Sequence, residues 1–391
     1  MCIRDRIYVV RVIRREGTDT KTGKDVAKVS PVNEDSEYPI EIDILKPFLK
    51  GEEIRRWKID WGGLYLVHPY KLLRDGSGNI TSARLYSTEE MQSEFPNAWK
   101  YFLERKRELE DREHARMRGN PDWYGYIYPK NLDKFERFKI ISSDIANTNC
   151  FSIDSEGRWY FTAGYGILLR NALAKDYFNV LSLLNSKVVE FYFKHIGTVK
   201  SGGYYEYRPQ YVEKLPVIIP KTRKQRELVS QIVNMTEEIL RSLDPDRFIK
   251  KFPEAYFDKH IEGMEFDEIK YTFNAGHTKL APILTGKQGQ GYAVYPSKGE
   301  DPILVETEQK AHYVVLALTN RDVRQNDTVR ILIPKDNAIV TEILDKFKSI
   351  MRQIGKTPIE RLEKEINQLV YELYGLDDQD RKIVENFLEK T

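Results

Sequence analysis

The segment from residue 197 to residue 220, GTVKSGGYYEYRPQYVEKLPVIIP, combines side chains that suit contact with a flat, anionic partner. Its central polar and aromatic residues are Lys200, Ser201, Gly202, Gly203, Tyr204, Tyr205 and Arg208. Lysine and arginine neutralise phosphates, glycine amides approach a backbone closely, and tyrosine rings pack on sugars or bases. The pattern therefore predicts a nucleic-acid-binding loop. The alternative interpretation is a surface hairpin that leads into an edge strand.

The charge around this loop favours the same chemistry without deciding it. Between Lys187 and Arg226 there are nine basic and three acidic residues, a local charge of +6 in a chain whose net charge is +2. Concentrated positive charge with interleaved tyrosine is typical of polyanion binding. A lysine-rich solvated surface, with its tyrosines packed in a sheet, would have the same composition.

The sequence contains no recognisable motif for catalysis or metal binding. The six histidines are scattered, and the sequence has neither a phosphate-binding Gly-x-x-x-x-Gly-Lys-Ser/Thr loop nor a Gly-x-Ser-x-Gly elbow. The sequence NPDWYG at 120–125 resembles the Asn-Pro-Pro-Tyr motif of amino-group DNA methyltransferases only weakly. Asp122 occupies the third position and no apolar strand precedes it, which favours a simple turn.

Composition limits the class of protein. The 391 residues suffice for two or three domains, and 41% hydrophobic with 31% charged residues is an ordinary globular balance. Two cysteines, Cys2 and Cys150, cannot stabilise a fold of this size, so we expect the reducing cytoplasm of a prokaryote. No apolar run reaches the roughly 18 residues that span a membrane.

Patterning predicts a mixed α+β fold in several segments. Ser87 and Glu90 have capping-box spacing and predict the start of a long, highly charged helix. Residues 1–6, MCIRDR, resemble a spurious start, and we expect the natural chain to continue upstream. The other predicted segments are a β-rich region at 7–86, the charged helix at 87–118, a mixed core at 119–243, a connector at 244–263, a β-rich insertion at 264–345 and C-terminal helices at 346–391.

Six segments, in order, resemble one family. They are KPFLKGEEIRRW, WYGYIYPKN, FKIISSDIANTNCFSID, LLNSKVVEFYFK, GGYYEYRPQYVEKLPV and ERLEKEINQLVYELYGLDDQD. Together they resemble the C-terminal DNA-specificity (target-recognition) region of TaqI-like adenine-N6 DNA methyltransferases. The same region occurs in the fused restriction-modification enzymes called type IIG. The resemblance covers about residues 40–240 and 355–391, and it does not extend to residues 264–340.

The resemblance implies a function, a cofactor and a partner. The whole enzyme would use S-adenosylmethionine to methylate the N6 amine of adenine after flipping the base out of double-stranded DNA. Its catalytic and cofactor-binding segments would lie upstream of this chain, and a fused nuclease domain, if present, would use Mg²⁺. The chain itself would be a β-rich target-recognition domain with inserted helices, a second β-rich insertion and a helical tail. Its interface would comprise residues 200–205, Arg208, Lys130, Asn131, Asn149 and Lys187.

Two other functions remain open from the sequence. The first is a stand-alone DNA-specificity subunit that acts in trans and carries no chemistry. The second is a β-rich interaction module whose basic residues bind RNA or an acidic protein. The methyltransferase region and the stand-alone subunit both predict a steep salt dependence of duplex affinity. The RNA- or protein-binding module does not.

Overall fold

The computed structural model describes residues 6–32, 34–250, 252, 264–289 and 291–391. Most of the predicted start at 1–6, and much of the predicted connector at 244–263, lie outside the described residues. The chain divides into two compact units: unit 1 is Met1–Val233 with Ile366–Thr391, and unit 2 is Asn234–Glu365. Both units combine helices with strands, which confirms the predicted α+β class.

The elements are numbered in chain order. The strands are β1 (Val9–Thr18), β2 (Asp25–Pro31), β3 (Tyr38–Glu41), β4 (Leu45–Leu49), β5 (Leu64–Val67), β6 (Tyr70–Arg74), β7 (Ile80–Leu85), β8 (Lys139–Ser143), β9 (Ile145–Ala146), β10 (Phe151–Asp154), β11 (Tyr160–Phe161), β12 (Gly164–Ile167), β13 (Thr198–Val199), β14 (Tyr205–Glu206), β15 (Phe266–Thr272), β16 (Ile283–Gln288), β17 (Gly291–Tyr295), β18 (Ile303–Val305) and β19 (Thr328–Pro334). The helices are α1 (Thr88–Glu94), α2 (Pro96–Glu104), α3 (Lys106–Glu110), α4 (Arg112–Ala115), α5 (Ala174–Leu184), α6 (Lys187–Ile196), α7 (Pro209–Val212), α8 (Arg223–Leu243), α9 (Glu308–Leu318), α10 (Asn337–Gln353), α11 (Ile359–Tyr374) and α12 (Asp378–Leu388).

The largest sheet of unit 1 has the strand order β11-β4-β5-β1-β2-β3. Its pairings are antiparallel except for β11 with β4, which is parallel. The core beneath it is rich in tyrosine, and the buried hydroxyls have partners: Tyr8 donates to the carbonyl oxygen of Tyr124 over 2.9 Å, and Tyr101 to that of Ile7 over 2.5 Å. Many of the tyrosines therefore serve packing rather than contact with a partner molecule.

The charged segment at 87–118 is not the single helix that the sequence predicted. The capping box of Ser87 and Glu90 is confirmed, but the segment forms the four short helices α1 to α4. Phe95 leaves the helical conformation before Pro96, and three residues from Glu113 to Ala115 have positive φ. Proline accounts for the first break, because it has no backbone N–H to continue the helix. The last break accompanies an inward turn of Arg112, which is buried and donates to the carbonyl oxygens of Trp123 and Gly125, each over 2.9 Å.

Two small sheets position the region that follows. Strand β8 lies between β10 and β12, and β14 lies between β13 and β9. In the first of these sheets Lys139 and Asp154 face each other in register, and their side chains form a buried ion pair with Nζ 2.5 Å from Oδ2. This pair connects the two strands in the interior of unit 1.

Helices α5 and α6 are separated at Asn185 and Ser186. The buried Asn185 amide accepts from the Phe151 amide and donates to the Phe151 carbonyl, each over 3.0 Å, as a neighbouring strand would. The Ser186 hydroxyl accepts from the Val189 amide and caps α6. The Leu-Asn-Ser sequence thus fixes the start of α6 against β10.

Unit 2 contains the two-stranded sheet β15-β19 and the three-stranded sheet β16-β17-β18. Both sheets contribute to an apolar core with α9 and α10, which includes Phe273, Val314, Ile331 and Ile343. The predicted β-rich insertion therefore contains helices as well as strands.

Candidate nucleic-acid interface

The sequence from residue 197 to residue 208, called here the glycine loop, follows directly on the C-terminal end of α6. It leaves the helix at Gly197, forms β13, turns through Lys200–Tyr204 and returns as β14. The Lys200 amide donates to the Tyr204 carbonyl over 2.6 Å and closes the turn. Gly202 and Gly203 have φ of 75° and 77°, a left-handed conformation that a larger residue would adopt only with strain. The glycines therefore define a compact, exposed turn.

Two residues that the sequence assigned to the interface have buried side chains. Tyr205 is buried between β13 and β9. Asn149 is fully buried: its amide donates to the Leu184 carbonyl over 2.6 Å, and its oxygen accepts from the Tyr207 hydroxyl over 2.9 Å. Both side chains pack in the interior of the fold, so their burial does not favour the predicted DNA contact, which stays a prediction for Asn149 and Tyr205.

The cations of the glycine loop share one carboxylate. Lys200 Nζ lies 2.8 Å from Glu206 Oε1. The Arg208 guanidinium grips the same carboxylate twice, with Nε 2.9 Å from Oε2 and Nη2 3.1 Å from Oε1. The Lys200 ammonium is the main cause of a lowered pKa for Glu206, and Arg208 adds to the effect. Sequence reasoning counted Glu206 only as a negative charge and missed this role.

Several of the other cations near the loop also pair with carboxylates. Six of the nine basic residues between positions 187 and 226 have a carboxylate within 4 Å: Lys187, Lys194, Lys200, Arg208, Arg223 and Lys224. Lys194 is buried with Glu190, whereas Lys200 and Arg208 keep 45% and 52% of their side chains exposed. Carboxylates therefore offset part of the local charge of +6. The paired cations of the glycine loop still reach solvent, as do Arg223 and Lys224 on α8.

A cleft of about 580 Å³ opens beside the glycine loop, and Tyr204 forms part of its wall. The other walls come from the turn at 50–55, the turn at 143–147 and residues 162–163. A Cβ on Gly51 would lie 2.9 Å from the Ala163 carbonyl oxygen and 3.1 Å from Ser143 Oγ, so this wall needs glycine for its close packing. The Pro-Phe-Leu-x-Gly sequence at 47–51 was the available signal for this part of the site.

A comparison with known protein families bears on this part of the chain. Residues 46–217 match the family model of the TaqI-like C-terminal specificity domain. The family resemblance predicted from the sequence is thereby confirmed for this segment. No curated protein matches the chain.

The matched segment, residues 46–217, contains the glycine loop, most of the cleft lining and the buried Lys139–Asp154 pair. It begins at β4, so β1 to β3 of the large sheet precede it, and the whole of unit 2 follows it. The sheet that supports the cleft is thus completed by strands from outside the matched range.

Three other predicted interface residues lie apart from the glycine loop. Lys187 begins α6, about 14 Å along the helix from the loop, and pairs with Glu385 over 3.5 Å. Lys130 is exposed beside Asn131, and Asn131 lines a separate cleft of about 660 Å³ formed with β7. The structure therefore groups residues 200–204 with Arg208, and a DNA contact at Lys130, Asn131 or Lys187 stays a prediction.

Metal sites and membrane-spanning helices are two further features to consider. Among the residues that the structure describes, no group of three or more histidine, cysteine, aspartate or glutamate side chains could hold a metal ion. Within the same part of the chain, no helix is long and apolar enough to cross a membrane.

Proposed function

We propose that this chain recognises a specific sequence in double-stranded DNA, as the specificity region of a S-adenosylmethionine-dependent adenine-N6 DNA methyltransferase. The observation that carries the proposal is the family match over residues 46–217, because that range includes the exposed glycine loop. Two half-exposed cations and two adjacent glycines in one loop suit a polyanionic duplex. We place the enzyme in the prokaryotic cytoplasm, like other proteins that act on genomic DNA.

The division of labour follows from the chemistry of each part. Lysine contacts to phosphates would set the register of the domain on the duplex, and arginine contacts to base edges would supply sequence preference. The methyl donor S-adenosylmethionine, the catalytic segment and any Mg²⁺-dependent nuclease would belong to upstream parts of the enzyme. This chain would hold the DNA so that the target adenine reaches them.

The first experiment measures duplex binding by fluorescence anisotropy at several salt concentrations. We use the 391-residue chain and labelled duplexes of about 40 base pairs carrying a randomised centre. The logarithm of affinity should fall linearly with the logarithm of salt concentration, by about 0.9 for each neutralised phosphate. Lys200→Ala with Arg208→Ala should lower affinity and reduce this slope by about 1, because the lysine is assigned to a phosphate and the arginine to a base edge.

A matched control removes the same charge elsewhere. Lys346→Ala with Lys348→Ala changes two exposed lysines on α10 of unit 2 and should leave the slope unchanged. If both double variants bind like the unmodified chain, the glycine loop is not the DNA-contacting surface. If the unmodified chain binds single-stranded RNA better than duplex DNA, the interaction-module alternative replaces this proposal.

A stand-alone specificity subunit is the second candidate, since the sequence of this chain holds no cofactor or catalytic motif. Reading the genomic DNA upstream distinguishes the two. A frame that continues through a cofactor segment and an Asp/Asn-Pro-Pro-aromatic motif supports the methyltransferase, and the full-length protein should then mark DNA with N6-methyladenine in a methylation-deficient bacterial host. A ribosome-binding site and start codon just before Ile7 support the subunit.

A further inference from the structure

We propose that Glu206 is a positioning residue that sets the base preference of the glycine loop, by holding Arg208 in the orientation that reads a guanine. This inference rests on the proposed function, because it assigns a role within DNA recognition. Glu206 has the same sign of charge as the DNA phosphates, so a simple electrostatic account would treat it as an obstacle to binding.

The backbone around Glu206 is fixed on both sides. Glu206 lies in β14, the central strand of its sheet, opposite Thr198 of β13 and Ile145 of β9. Only 12% of its side chain is exposed. The carboxylate therefore has a defined position, and it restricts the position of the Arg208 guanidinium that binds it.

The contact between Glu206 and Arg208 has the two-pronged geometry that orients a guanidinium. Nε and Nη2 of Arg208 donate to the two carboxylate oxygens over 2.9 Å and 3.1 Å. Two parallel N–H···O bonds fix the plane of the guanidinium as well as its distance. Lys200 binds the same carboxylate, so the turn that carries the two glycines is tied to this plane.

The pairing leaves donors available for DNA. Arginine has five N–H donors, and the contact with Glu206 uses one on Nε and one on Nη2. The two on Nη1 and the second on Nη2 remain, on a side chain that is 52% exposed. Arginine that donates two bonds to O6 and N7 of guanine is the commonest specific contact in the major groove. A prepositioned plane favours this contact over looser attachment to phosphates.

The same pairing also limits non-specific attraction. Because one carboxylate serves two cations, the cluster of Lys200, Glu206 and Arg208 has a net charge of +1 rather than +2. Removing the carboxylate should therefore strengthen binding to any duplex while weakening the choice among sequences. A residue that only stabilised the fold would change neither quantity in this direction.

The test compares Glu206→Gln with Glu213→Gln, an identical charge change at an exposed position shortly after the loop. Each 391-residue chain selects from a 40-base-pair duplex library with 16 randomised positions, and the enriched sequences are read by deep sequencing. Expected is loss of one G·C position from the selected motif in Glu206→Gln alone. Discrimination at that position should fall about 5- to 150-fold. The salt slope of the same variant should steepen by about 1.

A second variant keeps the test independent of folding. Arg208→Lys retains the charge but not the planar fork, so it should lose the same G·C position with an unchanged salt slope. A motif that keeps every position in both Glu206→Gln and Arg208→Lys overturns the inference while leaving the proposed function intact. An unmodified chain that binds duplex DNA without enriching any motif overturns the inference and the proposed function together.

Discussion

Replacing Asp154 by asparagine should destabilise unit 1 by about 3–5 kcal/mol, because it leaves the buried Lys139 ammonium without its counterion. Both side chains are only 2% exposed, and Lys139 Nζ lies 2.5 Å from Asp154 Oδ2. The other described partner of the ammonium is the Phe135 carbonyl oxygen. Burial already lowers the pKa of Lys139 while Asp154 opposes that shift, so the variant lysine would give up its proton more readily.

Replacing the lysine of the pair instead should lower the free energy of unfolding by less. In Lys139→Met, the Asp154 carboxylate keeps hydrogen bonds from the backbone amides of Arg158 and Trp159, over 3.0 Å and 2.9 Å. We therefore expect a loss of about 1–3 kcal/mol, the typical value of a hydrogen bond to a charged group. The double variant should be more stable than the sum of the single losses implies, because it leaves no unpaired lysine.

The assay exploits the distribution of tryptophan. All five tryptophans lie in unit 1, at positions 57, 61, 99, 123 and 159, so their fluorescence during urea unfolding reports that unit. Asp35→Asn, at an exposed position, provides the control for the same chemical change. A loss below about 1 kcal/mol for Asp154→Asn, or a larger loss for Lys139→Met, would refute the reasoning. The loss for Asp154→Asn should also shrink as pH rises, because a neutral lysine needs no counterion.

Three further substitutions test other parts of unit 1. Burial lowers the pKa of His68 from 6.5 to about 3, so the unfolded chain takes up a proton that the folded state resists. Stability should therefore fall as pH drops below about 6.5, by about 2 kcal/mol from this residue between pH 7 and pH 5, and His68→Gln should lose that slope in urea unfolding. Asn149→Ala should cost about 2–4 kcal/mol in the same assay, since it leaves a buried carbonyl and a buried hydroxyl unpaired. Gly51→Ala should cost about 1–3 kcal/mol in thermal unfolding, because its Cβ would press on the Ala163 carbonyl oxygen.

Controls for these substitutions lie nearby. Asn147→Ala, at an exposed position beside the cleft, should leave stability unchanged, and Gly76→Ala has no atom within 4 Å of the added Cβ. If the free energy of unfolding falls equally with pH in His68→Gln and in the unmodified chain, then His68 does not cause the acid destabilisation. Asn149→Ala with full stability but impaired DNA binding would restore Asn149 to the interface, against its burial.

The glycine loop shows which features of the candidate site can be predicted from the sequence. Its position, its two glycines and its exposed cations follow from the order of residues, because a turn is a local structure. The charge of the surrounding surface does not follow, because the count of basic residues includes no information about distant carboxylates. Lys187, for example, pairs with Glu385 from the C-terminal helix α12. The count of basic residues between positions 187 and 226 therefore overstates the positive charge that is open to a partner.

The sequence by itself determined the mixed α+β class, the capping box at Ser87 and the family of residues 46–217. These properties depend on local spacing or on the order of short segments along the chain. The tertiary structure alone decided that Asn149 is interior, that Arg112 turns inward at the end of the segment 87–118, and that one carboxylate at Glu206 holds two cations. Burial and ion pairing depend on contacts between elements that are distant in the sequence, and local residue patterns do not predict those contacts.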